Sequence, residues 1–311
     1  MVPHKMHLVV AMVGYRNAQD ILACLQALSV STYSDFEILI CENGGEEAFR
    51  QLRAVLPSRL SGGQVVRAFQ AKSNLGYAAG VNACLRAAPH AEAWWILNPD
   101  TEPSATAMAL MAARLESGDC DAVGSSILGS QHDVQSHGGR WRPWLARAEA
   151  IGRGEPVRAS PAAADVERIQ NYISGASLMV TARFLQVVGP MREDYFLYGE
   201  EVEWCLRGVQ RGMRLGFAAG ARVLHHAGTT TGSAKGVRSR PRLPVYLDER
   251  NKILVTRDRF PARLPVAAGA AFLLILMRFA RRGAWRQTGY ALAGWFDGLR
   301  NRRGKPEWVT N

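Results

Sequence analysis

Cysteine is sparse, five residues in 311, and no two of them form a Cys-x-x-Cys pair. They stand at 24, 41, 84, 120 and 205. Odd in number and scattered, they exclude a disulfide framework. Most lie among apolar neighbours, as small core residues do, and the expected setting is reducing and cytoplasmic. Neither Gly-x-Gly-x-x-Gly nor Gly-Lys-Ser/Thr occurs, so a dinucleotide fold and a P-loop NTPase have no support. There is no internal repeat. No secretory signal is expected, because His4 and Lys5 run into a strand-like stretch without a small-residue cleavage site. The run Val266 to Met277 is twelve residues without a charge, short of the ~20 a helix needs to span a bilayer. Acidic residues almost vanish between Arg250 and Lys305, 2 against 13 basic. That segment carries the whole formal net charge of +11, since the remainder holds 25 residues of each sign. The chain reads as a neutral body with a basic tail.

What is present is an alternation of short apolar runs and helical stripes. His7 to Val13, Phe36 to Cys41, Val65 to Phe69 and Ala93 to Leu97 read as strands. Helices are expected between them, the last opening at Asn74 and reaching Ala88. Strands alternating with helices imply a parallel sheet with right-handed crossovers. Ligands of such sheets bind at the carboxyl ends of the strands. The polar turns Arg16-Asn17, Glu42-Asn43 and Asn98-Pro99-Asp100 all fall at that edge. Further on, Ala105 to Leu115 is a helix, Ala122 to Leu128 and Ile173 to Val180 are strands, and residues 129–168 read as loop or edge structure. Arg214 to Phe217 and Arg222 to Leu224 are two short strands, the second ending at His225-His226. Thr229 to Pro244 reads as a flexible flap.

The chemistry is expected in the stretch Asp194 to Arg207. Glu200, Glu201 and Glu203 lie within four residues, after Tyr195, Phe196 and Tyr198. Val202, Cys205, Leu206 and Val209 follow at helical spacing, so the acids open a helix, whose positive end steadies carboxylates. Steps of about 100° per residue let one or two of them face a given cleft. A capped surface helix with solvated acids explains the helix start but not the glycine and aromatics before it. Asp100, on a proline-fixed turn at a strand edge, offers an oxygen ligand of the kind Mg²⁺ or Mn²⁺ takes. His225, at another strand end, offers an imidazole, although spacing alone favours one of the two adjacent histidines being buried and hydrogen-bonded and the other exposed. Asn74-x-Gly-x-x-x-Gly-x-Asn82 has glycines that let a backbone approach a ligand. From Pro244 onward the pattern is helical, with Tyr290, Trp295 and Phe296 interleaved with Arg278, Arg281, Arg282, Arg286, Arg300, Arg302 and Arg303. That interleaving suits a helix in an anionic membrane interface; a helix packed on the body with a solvated basic face is the other reading.

These pieces occur together, in order, in one family. The matching residues are Val10 to Asn17, Glu42-Asn43, Asn74 to Asn82, Leu97 to Thr101, Ser174-Gly175-Ala176, Phe196 to Arg207, Ala221 to His226 and Arg250-Asn251. On these the chain resembles the family 2 glycosyltransferases of the GT-A fold, most closely their rhamnosyltransferase-like branch. The resemblance implies an α/β fold, a mixed sheet flanked by helices, over residues 1–250, while the pattern of 251–311 itself reads as a helical, basic, membrane-associating extension. It implies a nucleotide-sugar donor at the sheet edge. Tyr15, Arg16, Asn17 and Glu42 would meet the base and ribose, with Asn74, Gly76 and Asn98 nearby. Asn98-Pro99-Asp100 stands where the family carries Asp-x-Asp, so Asp100 would hold a divalent cation (Mg²⁺ or Mn²⁺), helped by His225. Glu201 stands where the family places its catalytic base, usually Asp in a Glu-Asp pair. Glu200 and Glu203 are supporting acids, and Ser174, Gly175 and Tyr198 fall on the acceptor side. The implied activity is an inverting, metal-dependent sugar transfer, with dTDP-rhamnose favoured as donor. The acceptor would be a hydroxyl of a glycan or lipid-linked chain at the inner face of the bacterial membrane.

Three other readings exist. A non-catalytic nucleotide-sugar-binding relative would tolerate the substituted motif acids. A nucleic-acid-binding protein could stack bases on the aromatics of the basic arm, but the body is neutral, no nucleic-acid motif appears and no nucleic-acid partner is expected. A sugar-nucleotidyltransferase lacks its glycine-rich activated-phosphate loop near the N-terminus.

Overall fold

A computed structural model describes residues 5–131, 133–157, 160–226, 232 and 236–309. In chain order its elements are β1 (Leu8–Gly14), α1 (Ala18–Ser29), β2 (Phe36–Glu42), α2 (Glu46–Val55), β3 (Val66–Gln70), α3 (Tyr77–Ala87), β4 (Ala93–Leu97), β5 (Thr101–Pro103), α4 (Ala107–Glu116) and β6 (Ala122–Leu128). Then come β7 (Val134–Ser136), β8 (Gly139–Arg142), β9 (Arg147–Ala150), α5 (Ala163–Glu167), β10 (Ser177–Thr181), α6 (Ala182–Val188), α7 (Glu200–Gln210) and β11 (Leu215–His225). Three helices close the chain: α8 (Arg242–Arg259), α9 (Leu264–Arg278) and α10 (Trp285–Leu299).

One sheet runs β3-β2-β1-β4-β10-β6-β11-β5, with β7 added on β6. β1 is buried along all seven residues, as a strand covered on both faces must be. Its alternate side chains feed two cores. Val9, Ala11 and Val13 pack on one face with α3 and α7 residues such as Val81 and Val202. Leu8, Val10 and Met12 pack on the other with Ile21, Leu25 and Met108. The sheet is mixed rather than wholly parallel: β10 runs antiparallel between β4 and β6, and β5 antiparallel to β11.

Residues 129–168 are more regular than their composition suggests. They form β7, the separate β8–β9 hairpin and α5. Strands of three or four residues are too short to leave a readable period. The two strands expected at 214–217 and 222–224 are one, β11, whose register on β6 shifts between Phe217 and Arg222. Gly220, at φ +85°, supplies the irregularity. The expected flap at 229–244 lies partly outside the described residues; its last part, from Arg242, is already α8. An expected boundary after residue 250 falls inside α8, which is continuous there. The helical run Pro261–Arg282 is 22 residues long, contains an 18-residue window of mean hydropathy 1.6, and is long and apolar enough to cross a membrane by length and composition alone. That corrects the expectation drawn from the twelve-residue uncharged run, because flanking turns extend the helix.

Candidate active site

The carboxyl ends of β1, β2 and β4 open on a cleft of about 550 Å³. Tyr15, Asn17, Asn74, Gly76, Asn98 and Asp100 line it, and so do Ser174, Gly175, Tyr198, Glu200, Glu201 and His225. Residues separated by up to 210 positions are thus gathered at one sheet edge. A second cavity, of about 600 Å³, lies by β7 and α5, is lined by Ser126, His137 and Arg222, and contains none of these residues.

Backbone pairing brings Asp100 to His225. β5 starts directly after Asp100, and Thr101 pairs with His225 across the β5–β11 ladder. The His226 amide donates to the Asp100 carbonyl at 3.0 Å. The His225 Nε2 then lies 3.3 Å from Asp100 Oδ1. Gln135 fixes the imidazole: its amide nitrogen donates to the His225 carbonyl at 2.7 Å, so its Oε1, 3.0 Å from Nδ1, accepts a proton there. A neutral His225 consequently turns the lone pair of Nε2 toward a carboxylate oxygen. Two acceptors facing each other this closely need a cation or a proton between them. An oxygen and an imidazole nitrogen, the latter oriented by a neighbouring amide, fit Mn²⁺ or Mg²⁺. Among the described residues, the one group of three metal-capable side chains, His7, Glu37 and His90, lies elsewhere, at the opposite ends of β1, β2 and β4.

Glu200 and Glu201 open α7 behind Gly199, whose φ of +82° makes a left-handed cap. The Gly199 amide donates to Glu201 Oε2 at 3.1 Å and holds that carboxylate, partly exposed, in the cleft wall. Burial pushes the Glu201 carboxyl above the usual range despite this bond. Glu200 is 3% exposed, and its Oε2 has no hydrogen-bond partner. Desolvation, with the Glu201 charge beside it, pushes Glu200 well up, so it stays protonated where Glu201 ionises. Tyr77, whose hydroxyl donates to the Gly175 carbonyl at 3.0 Å, also feels both acids.

Three expected residues lie differently. Glu42 is 1% exposed and does not line the cleft; it accepts from the Arg16 and Gly44 amides at 3.1 and 2.7 Å and shapes the turn. Arg16 is exposed at that turn, at φ +56°, with its Nε donating to the Gly44 carbonyl. Glu203 is fully buried, pairs with Arg207 at 3.0 Å and with Arg259 at 3.4 Å, and serves the packing of α7. Two steps of about 100° each set Glu203 on nearly the opposite side of α7 from Glu201, and it falls on the body side.

Asn43, Arg250 and Asn251, which sequence reasoning left without a role, support the cleft together with the turns at Gly76 and Tyr198. Asn43 donates to the Gly76 carbonyl at 2.8 Å and leaves a buried, unpaired Oδ1 at the cleft wall. Gly76 has φ +81°, and a Cβ there would lie 2.2 Å from the Phe196 carbonyl oxygen. Phe196 and Tyr198 are themselves left-handed, at φ +68° and +72°. The Asn251 side-chain amide donates to the carbonyls of Tyr195, Leu197 and Tyr198, at 3.1, 2.9 and 2.7 Å. Arg250, 1% exposed, also donates to Tyr195 O, at 3.0 Å. The adjacent pair Arg250-Asn251 was the readable signal; only the fold shows that it clamps the aromatic turn.

The mixed sheet, the edge cleft and the Asp100–His225 pair define a GT-A glycosyltransferase fold. Residues 9–161, just under half of the chain, match the model described as Glycosyl transferase family 2. A curated relative, the low-salt glycan biosynthesis hexosyltransferase Agl10 of Haloferax volcanii, is 24% identical over 144 residues. That match covers 44% of this chain and 45% of Agl10, so the chain spans about half the length of this relative. Two solved structures share the fold. GalNAc-T7 with UDP, GalNAc and Mn²⁺ superposes with a TM-score of 0.63 at 14% identity, over 82% of this chain and 48% of that one. The mannosyltransferase PcManGT of Pyrobaculum calidifontis, with GDP-Man and Mn²⁺, has a TM-score of 0.59 at 13% identity, over 96% and 89%.

Proposed function

We propose that the protein is an inverting glycosyltransferase that moves a sugar from a nucleoside-diphosphate donor to an acceptor hydroxyl. The observation that carries this is the opening of Asp100, His225 and Glu201 into one cleft. Tyr15, Asn17, Asn43, Asn74 and Gly76 bind the nucleotide at the β1–β2 edge. Asp100 and His225 hold a divalent cation, which when bound takes up the charge of the departing diphosphate.

The remaining chemistry belongs to the chain. The acceptor oxygen forms its bond to the anomeric carbon as the bond to the diphosphate oxygen breaks, its electron pair leaving with the nucleotide. Glu201 removes the acceptor's proton. A carboxyl that acts as a base must be ionised, and Glu201 is the partly exposed one of the two adjacent acids, with the Gly199 amide donating to it. Glu200, kept neutral by burial, cannot serve as a nucleophile and offers a hydrogen-bond donor to a sugar oxygen. One base and no enzyme nucleophile give single displacement with inversion. Phe196, Leu197 and Tyr198 wall the acceptor side and exclude water.

Rhamnose from dTDP-rhamnose is the favoured transfer, on the branch resemblance. The acceptor is a glycan or lipid-linked hydroxyl in surface-polysaccharide synthesis, met at the inner face of the cell membrane. A thermal-shift panel of nucleotide sugars with and without Mn²⁺ or Mg²⁺ tests the donor. A metal-dependent rise in melting temperature with one donor class supports the reading. No rise with any nucleotide sugar, together with no transfer or hydrolysis, sinks it.

A further inference from the structure

The glycosyl-transfer reading leaves one large surface unused. α9 packs on the body through Ala267, Ala268, Ala271 and Ile275. Its other side presents Val266, Leu273 and Met277, exposed at 58%, 59% and 53%, with Gly269 between them. These positions recur at three- and four-residue steps or their sums, so they form one strip. No charge interrupts the helix from Leu264 to Met277. Only 28% of the most apolar part of the run Pro261–Arg282 is buried. Trp285, 71% exposed, continues the apolar surface at the start of α10. At the other end, Arg263 lies 5.0 Å over the ring of Trp144. Trp144 and Leu145 stand exposed at the tip of the β8–β9 hairpin, so a segment more than 100 residues away in sequence adjoins the same helix.

An apolar face of this extent marks an interaction site. Charge names the occupant. Arg281, Arg282 and Arg286 are exposed where α9 turns into α10, and Arg300 and Arg302 follow after α10. A second copy of the chain would set one basic tail against another. An anionic lipid leaflet meets both the strip and the arginines.

The helix is held flat rather than free to cross. Trp295 Nε1 donates to the Ala268 carbonyl at 3.0 Å, and Arg278 pairs with Asp248 and Glu249 at 3.1 and 3.2 Å. α10 is locked in turn on α8, where a Cβ on Gly294 would lie 2.1 Å from the Tyr246 carbonyl oxygen. Drawing α9 across a bilayer would break these contacts and bury charged ends. Asp248, the partner of Arg278, stands on α8, the helix whose Leu243 and Pro244 line the cleft and whose Asn251 holds the turn leading to Glu200 and Glu201. The strip therefore belongs to the Glu201 side of the cleft rather than to its nucleotide side.

We propose that α9, bordered by Trp144, Leu145 and Trp285, beds its exposed strip in the interface of an anionic leaflet and turns the Glu201 side of the cleft toward membrane-borne acceptors. The docking rests on the surface alone; only its orientation rests on the glycosyl-transfer reading. This differs from an electrostatic tail. Arg278 and Arg303 are spent in internal ion pairs, the latter with Asp258 at 2.7 Å, so apolar contact dominates.

Flotation of the full chain with vesicles of phosphatidylcholine and phosphatidylglycerol tests it, at about 0.1 and about 0.5 M NaCl. The wild type is expected to float at both. The double variant Leu273→Asp/Met277→Asp changes only exposed positions and should keep its melting temperature. It is expected to lose binding about tenfold or more at both salts. Arg281→Glu/Arg282→Glu is expected to lose about tenfold at the lower salt only. Three results would overturn the proposal. One is unchanged flotation of the apolar double variant. Another is wild-type binding abolished by the higher salt. The third is a wild-type dimer in sedimentation that the apolar variant dissolves, which assigns the face to a second copy. Loss of sugar transfer with flotation intact would refute the enzymatic reading and leave the docking standing.

Discussion

Replacing Asn251 by alanine should damage the cleft without touching a residue that lines it. Asn251 is 1% exposed, and its one amide group reaches three carbonyls of the turn before α7. Tyr195 O keeps the Arg250 donor in the variant, while Leu197 O and Tyr198 O lose theirs. Two hydrogen bonds of about 1 kcal/mol net each, plus the cost of leaving a buried carbonyl unpaired, give a loss of at least about 2–4 kcal/mol, and Arg250 Nε, which donates to Asn251 Oδ1 at 2.9 Å, loses its acceptor as well. The turn also holds Phe196 and Tyr198 left-handed, strain of about 1–3 kcal/mol each that persists only under such restraint. Freed, the turn relaxes and carries Tyr198 and the start of α7 with it, and Glu200 and Glu201 shift. At about 2 °C per kcal/mol for a chain of this size, the melting temperature should fall by about 4–8 °C. Turnover should fall further than stability explains, at a temperature where the variant is still folded. Asn251→Asp, which removes the donor and keeps the shape, should be at least as severe. Scanning calorimetry and a donor-hydrolysis assay on both variants decide it. A melting temperature within about 1 °C of wild type, with normal turnover, would refute the clamp.

Three further outcomes follow from the same geometry. Glu201→Gln should lower turnover by about 10²–10⁴ while isothermal titration shows donor binding retained. Because Glu201 must be ionised to work and burial raises its pKa, the acid limb of the rate profile should lie above the ordinary glutamate range. A limb at or below that range would move the base elsewhere. Glu200, also raised, contributes most to stability when protonated, so its contribution is lost as pH rises through its folded-state pKa. Glu200→Gln should then flatten the fall of melting temperature that sets in as pH rises above the ordinary glutamate range, and an unchanged pH dependence would argue against a neutral Glu200. Gln135→Ala, which frees the His225 ring, should weaken Mn²⁺ affinity by about 10–100-fold in a direct binding titration.

The amino-acid sequence carried the sheet edge well, because strands covered on both faces leave near-continuous apolar runs and their polar turns stand out. Leu8 to Gly14 and Phe36 to Glu42 appear where those runs lie. Short strands were not legible. β5 is three residues, yet it is the element that sets Asp100 beside His225. Side-chain direction was also beyond a linear reading: Glu42 and Glu203 have the right chemistry at nearly the right places, but point into the protein. Supporting residues such as Gln135 and Asn251 act through the fold across 50 to 90 positions, and no local pattern encodes that.

The most direct measurement is a crystal structure with a nucleotide sugar and Mn²⁺. The ion should lie between Asp100 Oδ1 and His225 Nε2 against the diphosphate, with the anomeric carbon facing Glu201 across space for one hydroxyl. A nucleotide bound outside the cleft, or an anomeric carbon turned away from Glu201, would contradict the account.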